Sequence, residues 1–172
     1  MTTARLELEN GFWRFSLAVY AAPGVAEECL ALQDEFGADI NLLLFCAWAG
    51  TKRAGLLGDA DIAGAEAAVV NWRNDVVRPL RAVRRALKRI EGDGSGLHPK
   101  VKTVELAAEQ VEQAMLYRYA GSRWPESRPA AGADTVAENV RTYMRVVAPD
   151  RVASDENVLP KKLIEAARGL VR

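Results

Sequence analysis

Residues 40–50, INLLLFCAWAG, carry no charged side chain and, wound as a helix, leave no polar face. A helix apolar on every side is stable in water only when other helices surround it. The run is too short to cross a bilayer, which takes about 20 apolar residues. It therefore reads as the central helix of a core, and the rest of the chain has to supply its shell.

Helix punctuation in the flanking sequence fits that demand. Asn10 can cap a helix over FWRFSLAVYAA, and Pro23 ends that run or opens the next. Pro23 to Phe36 reads as a second helix with Gly37 as its stop. Asp39 can cap the apolar helix, expected to run to about Arg53. A fourth segment starts near Asp61, and Pro79 interrupts the helical pattern that continues through LRAVRRALKRI to Gly92. Pro79 cannot donate to the carbonyl of Asp75 and disfavours helical geometry at Arg78, so a kink or break is expected there. Beyond the glycine-rich loop 92–96, Pro99 opens a helix that ends at Gly121. Residues 122–134 read as a linker. Thr135 and Glu138 have capping-box spacing, Pro149 stops the helix they open, and Pro160 starts a short amphipathic one.

No run of alternating β-branched residues is long enough for a strand. The expected fold is all-α: a compact helical bundle of about six to eight helices with a central apolar helix and a C-terminal helical extension. Residues 1–124 would form the bundle, and residues 125–172 would be an extension packed on the same domain.

Composition narrows the function. At 172 residues the chain has the length of one domain, with 49% hydrophobic and 27% charged residues. Its 23 basic and 23 acidic side chains cancel, which opposes nucleic acid as a partner. One His and two Cys cannot complete a common zinc site, so neither a metal nor a cofactor is expected. Residues 1–10 hold no apolar stretch of a secretory signal, and no span suits a membrane. The expected location is cytoplasmic, with Cys29 and Cys46 as buried thiols.

The segment from Trp72 to Ile90 is the most informative chemically. Arg78, Arg81, Arg84, Arg85, Lys88 and Arg89 fall in an arc of about 140°, opposite Trp72, Val76, Leu80, Val83, Leu87 and Ile90. Guanidinium forks suit phosphates and carboxylates, which makes Arg81, Arg84 and Arg85 a candidate anion site. Asn41, Trp48 and Trp72 are the candidate ligand pocket beside it, the tryptophans walling an apolar part. A structural alternative uses the following helix, where Glu105, Glu109 and Glu112 share one face. An antiparallel hairpin would pair Arg85 with Glu105, Arg81 with Glu109 and Arg78 with Glu112, an ion-pair ladder needing no ligand. Enzyme templates fit poorly. There is no GxSxG, P-loop, GxGxxG or CxxC, and His98 lies near the glycine loop. No catalytic residue is assigned, and the balance leans against an enzyme.

The strings FWRFSLAVYAAPGVAEECLALQDEFGADINLLLFCAWAG, WRNDVVRPLRAVRRALK and VELAAEQVE together resemble an uncharacterised proteobacterial family of small all-helical proteins, a domain of unknown function, over residues 12 to about 120. The resemblance implies a bacterial, cytosolic, all-helical protein and no particular activity. It places Trp72, Pro79, Arg81, Arg84 and Arg85 inside a family motif. The leading expectation is a non-enzymatic helical protein that binds a partner protein or assembles into a homo-oligomer. The alternative is a binding protein for a small anionic, partly apolar ligand held by the basic helix 78–89.

Overall fold

The computed structural model describes residues 5–52, 55–90, 96–124, 134–154 and 158–170. Among these residues every regular element is helical. In chain order they are α1 (Gly11–Tyr20), α2 (Val25–Phe36), α3 (Ile40–Lys52), α4 (Asp59–Trp72), a π-helical segment (Arg73–Val77), α5 (Arg78–Ile90), α6 (Leu97–Arg123), α7 (Asp134–Val147), α8 (Pro149–Ser154) and α9 (Lys161–Gly169). The fold is an all-α compact bundle.

Helix α3 is its axis, packed against α1, α4, α6, α7 and α9. From Leu42 to Ala49 each of its side chains is buried. Phe45 sits edge-on to Phe12 of α1 at 5.8 Å between ring centroids and stacks on Trp124 at 6.5 Å. Complete burial of a side chain such as Phe45 contributes about 1.5–3 kcal/mol. Helices α7 and α9 belong to this same core, through Val140, Met144, Leu163 and Ala167. The approach of α7 to α3 is close enough to demand a glycine. A Cβ on Gly50 would lie 2.9 Å from Val136 Cα and 2.9 Å from its amide nitrogen. Asn139 of α7 fastens the far end of α3, accepting from the Leu57 amide at 2.8 Å and donating to the Gly55 carbonyl at 2.9 Å.

The local signals mostly act where expected. Asn10 Oδ1 accepts from the Trp13 amide at 2.8 Å, and Asp39 Oδ1 from the Leu42 amide at 2.9 Å. Gly37 ends α2 with φ of 66°, its N–H donating to the Gln33 carbonyl. Helix α4 begins at Asp59, where Asp61 Oδ2 accepts from the Gly58 amide at 3.0 Å. Helix α7 begins one residue before the expected cap, so Thr135 is already helical. Helix α6 starts at Leu97, two residues ahead of Pro99, a residue tolerated in the first turn because its missing N–H has no intrahelical partner there. The 122–134 linker falls mostly outside the described residues, as does most of the 92–96 loop.

The break expected at Pro79 takes a different form. Helical residues continue without a gap from Asp59 to Ile90, and the chain widens into the π turn of Arg73–Val77, where the Arg78 N–H donates to the Arg73 carbonyl five residues back. A widened turn accommodates the residue that cannot donate to Asp75 without ending the helix. Both Cys29 and Cys46 are buried free thiols, and burial raises the Cys29 thiol to about 12. No single helix among the described residues is long and apolar enough to cross a membrane.

Candidate functional site

A cleft of about 390 Å³ opens between α1, α2, the start of α3, α5 and α6. Amphipathic spacing explains its two-part lining. Leu17 and Tyr20 of α1, Leu30 of α2 and Leu106 of α6 rim the cleft, each between 40% and 50% exposed. Ser16, Asn41 and Gln113 form a polar floor and are all buried. Ser16 Oγ and Gln113 Oε1 have no hydrogen-bond partner among the described residues. Buried polar atoms are nearly always satisfied, and leaving one unpaired costs about 1–3 kcal/mol. Two such atoms on one cleft floor set this place apart.

The charged wall is internally paired. Arg81 Nη2 donates to Glu109 at 2.7 Å and Arg81 Nε to Glu105 at 3.2 Å, while Arg84 also holds Glu105. Burial raises the Glu109 carboxyl, with the Arg81 hydrogen bond opposing it. Arg85 points elsewhere, to Asp34 at 3.3 Å, and is not part of the cleft. Each of the three arginines expected to grip an anion thus already faces a carboxylate. The ladder itself forms in a shifted register. Arg81 meets Glu109 as expected, but Glu105 takes Arg84 in place of Arg85, and Arg78 turns to Asn74 at 2.8 Å. Arg73, in the π turn that precedes α5, is the arginine whose charge acts on Glu112.

Arg73, itself buried, anchors a second cluster that reaches from the fully buried Glu112 to the partly exposed Glu66. It pairs with Glu66 and, at 3.2 Å, with Asp39. The backbone of Asp39 is clamped by Tyr143, whose hydroxyl accepts from the Asp39 amide at 2.7 Å and donates to its carbonyl at 3.1 Å. Glu112 is fully buried, with Oε2 accepting from Asn41 Nδ2 at 2.9 Å and Oε1 unpartnered among the described residues. Burial and the nearby Asp39 raise its carboxyl to about 8, against the opposing pull of Asn41 and Arg73. Gln113 Nε2 completes the line by donating to Asn41 Oδ1 at 2.9 Å.

Of the residues expected to form a pocket, Asn41 lines the cleft. Trp48 is a core ring, 5.2 Å from Phe12, and Trp72 donates Nε1 to the Ala108 carbonyl at 2.9 Å, neither of them reaching the cleft. Trp13 supplies the tryptophan wall instead. Ser16, Gln113 and Glu112 went unread as a site. Their signal is faint: a hydroxyl inside an aromatic-rich helix, and an amide next to the acidic stripe of α6. No group of three or more metal-ligating side chains occurs among the described residues.

A family model for a protein of unknown function, DUF2390, matches residues 11–116. The chain belongs to this family. The matched span contains every residue lining the cleft, from Trp13 to Gln113, together with Asp39, Glu66, Arg73 and Glu112. Helices α7 and α9, which complete the core, lie beyond the family match. No curated protein and no solved structure matches the chain.

Proposed function

We propose that this family member is a binding protein whose cleft holds a small, partly apolar molecule. The observation that carries this reading is the pair of buried, unpartnered atoms, Ser16 Oγ and Gln113 Oε1, at the floor of a cleft rimmed by half-exposed Leu17, Tyr20, Leu30 and Leu106. A few convergent polar groups within an apolar concavity of this volume are the usual construction of a ligand site. Binding without catalysis is favoured because Ser16 Oγ has no base within hydrogen-bond reach among the described residues, and both thiols are buried. An anionic head group would have to displace Glu105 or Glu109 from Arg81 and Arg84, or settle for Lys102 at the rim. A neutral polar head therefore suits the cleft better than a carboxylate.

Titration calorimetry with decyl-chain ligands of differing head group tests the reading. We expect saturable one-to-one binding, weakened at least about tenfold by Leu106→Lys, a rim change at a half-exposed site that leaves the core intact. Equal affinity for the wild type and Leu106→Lys would place binding elsewhere and sink the proposal.

A protein-partner reading has its own observation. Val83, Ile90, Leu97 and Val104 are exposed on the α5–α6 hairpin, Ile90 to 78%. Self-association through that hairpin predicts that Ile90→Asp lowers the sedimentation coefficient at high protein concentration. An unchanged monomeric value in both proteins rejects it.

A further inference from the structure

The hydrogen bonds behind the cleft run in one direction. Gln113 Nε2 donates to Asn41 Oδ1, and Asn41 Nδ2 donates to Glu112 Oε2, each at 2.9 Å. An ionised carboxylate only accepts, so Asn41 must turn its NH₂ toward Glu112 and its carbonyl toward Gln113. Gln113 must then spend its NH₂ on Asn41, and its Oε1 is left without a partner among the described residues, on a side chain that lines the cleft. The polarity shown to a ligand is thus decided at Glu112, two side chains away.

A proton added at Oε2, the Glu112 oxygen that faces Asn41, reverses every step. The new O–H donates to Asn41 Oδ1, Asn41 Nδ2 donates to Gln113 Oε1, and the Gln113 NH₂ faces the cleft. Each amide makes a half-turn about the bond that carries it, which exchanges its N and O in place, so the end state requires no extra space. We propose that Glu112, Asn41 and Gln113 form a proton-operated selector: the cleft floor accepts hydrogen bonds when Glu112 is ionised and donates them when Glu112 is protonated. The ligand favoured by the protonated form carries an accepting head such as a ketone or tertiary amide. This inference rests on the cleft being the binding site proposed above.

The surroundings of Glu112 place the switch in a usable range. Asp39 approaches from the turn before α3, Arg73 from the π segment and Glu109 from α6 itself, while Asn41 is the neutral contact. Arg73 is already shared between Asp39 and Glu66, so it neutralises Glu112 poorly. Burial and Asp39 therefore keep the proton on Glu112 up to about pH 8.

The decisive probe is N,N-dimethyldecanamide, which accepts hydrogen bonds and cannot donate them, titrated into the full chain at pH 6 and pH 9. Wild type should bind it about tenfold more weakly at pH 9, the order of effect of exchanging a donor for an opposed acceptor. Glu112→Gln removes the titration, and Asn41→Leu severs the line while Glu112 still titrates; both should bind with little pH dependence. Binding by wild type with equal affinity at the two pH values would overturn the selector alone. So would a full pH response in Asn41→Leu, which would show a field effect in place of a relay. No binding at either pH overturns the selector and counts against the cleft reading as well.

Discussion

Helices α3 and α5 each span 13 residues, yet from Asn41 to Thr51 every α3 side chain is buried, whereas α5 has no buried side chain at all. Helix α3 is placed by the hydrophobic effect, which is non-directional and holds wherever the shell closes. Helix α5 is placed by directional devices: a π turn before Pro79 and guanidinium contacts to Glu105 and Glu109. The contrast separates stability from site geometry. One helix holds the molecule together, and the other positions charged groups along the cleft at small energetic stakes.

The comparison can be broken most readily at Phe45. Its replacement by Ala should cost about 3–5 kcal/mol, read from chemical denaturation. A loss below about 1 kcal/mol would mean that α3 is not the axis of stability. A smaller effect separates the buried polar cluster from the apolar core. Folded Glu112 holds its proton to about 8 against a usual 4.5, so the folded state binds a proton that the unfolded state releases within that window. The stabilisation from this group is full below about pH 4.5 and is lost as pH rises toward 8, on the order of a few kcal/mol. Denaturation curves at pH 5 and pH 8.5 should show that decline in wild type, and Glu112→Gln should flatten it. The smallest effect sharpens the α5 side. Arg84→Met should cost no more than about 1 kcal/mol, because Arg84 is partly exposed and Glu105 keeps its pair with Arg81. A cost rivalling Phe45→Ala would put α5 on the same footing as α3.

The difference between the two helices also explains what could be read from sequence. The all-α class, the central role of residues 40–50 and the caps at Asn10, Gly37 and Asp39 follow from short-range chemistry and were legible. The basic stripe was legible as a stripe, but its partners were not. Which arginine faces which glutamate is set by how α5 packs on α6, and the π turn before Pro79 departs from a uniform 100° per residue. The tryptophans misled for a related reason. Trp48 and Trp72 share helical spacing with core residues, and only tertiary packing decides that Trp13 reaches the cleft instead. The buried line from Glu112 to Gln113 joins residues 71 and 72 positions apart, beyond any local pattern. The C-terminal helices, read as an extension, supply much of the cover of α3.

The contact at Gly50 ties together α3 and a helix that begins at Asp134. At a synthesis rate of roughly 5–20 residues per second, the most apolar helix of the chain waits several seconds for that covering helix to be made. During that interval α1 is in place from the start, α4 and then α6 join it, and the face of α3 reserved for α7 is open to water or to other chains. The tight seat of Val136 on Gly50 is thus also a deadline: nascent chains of this protein are most exposed to misassociation between the making of residue 52 and the making of residue 147.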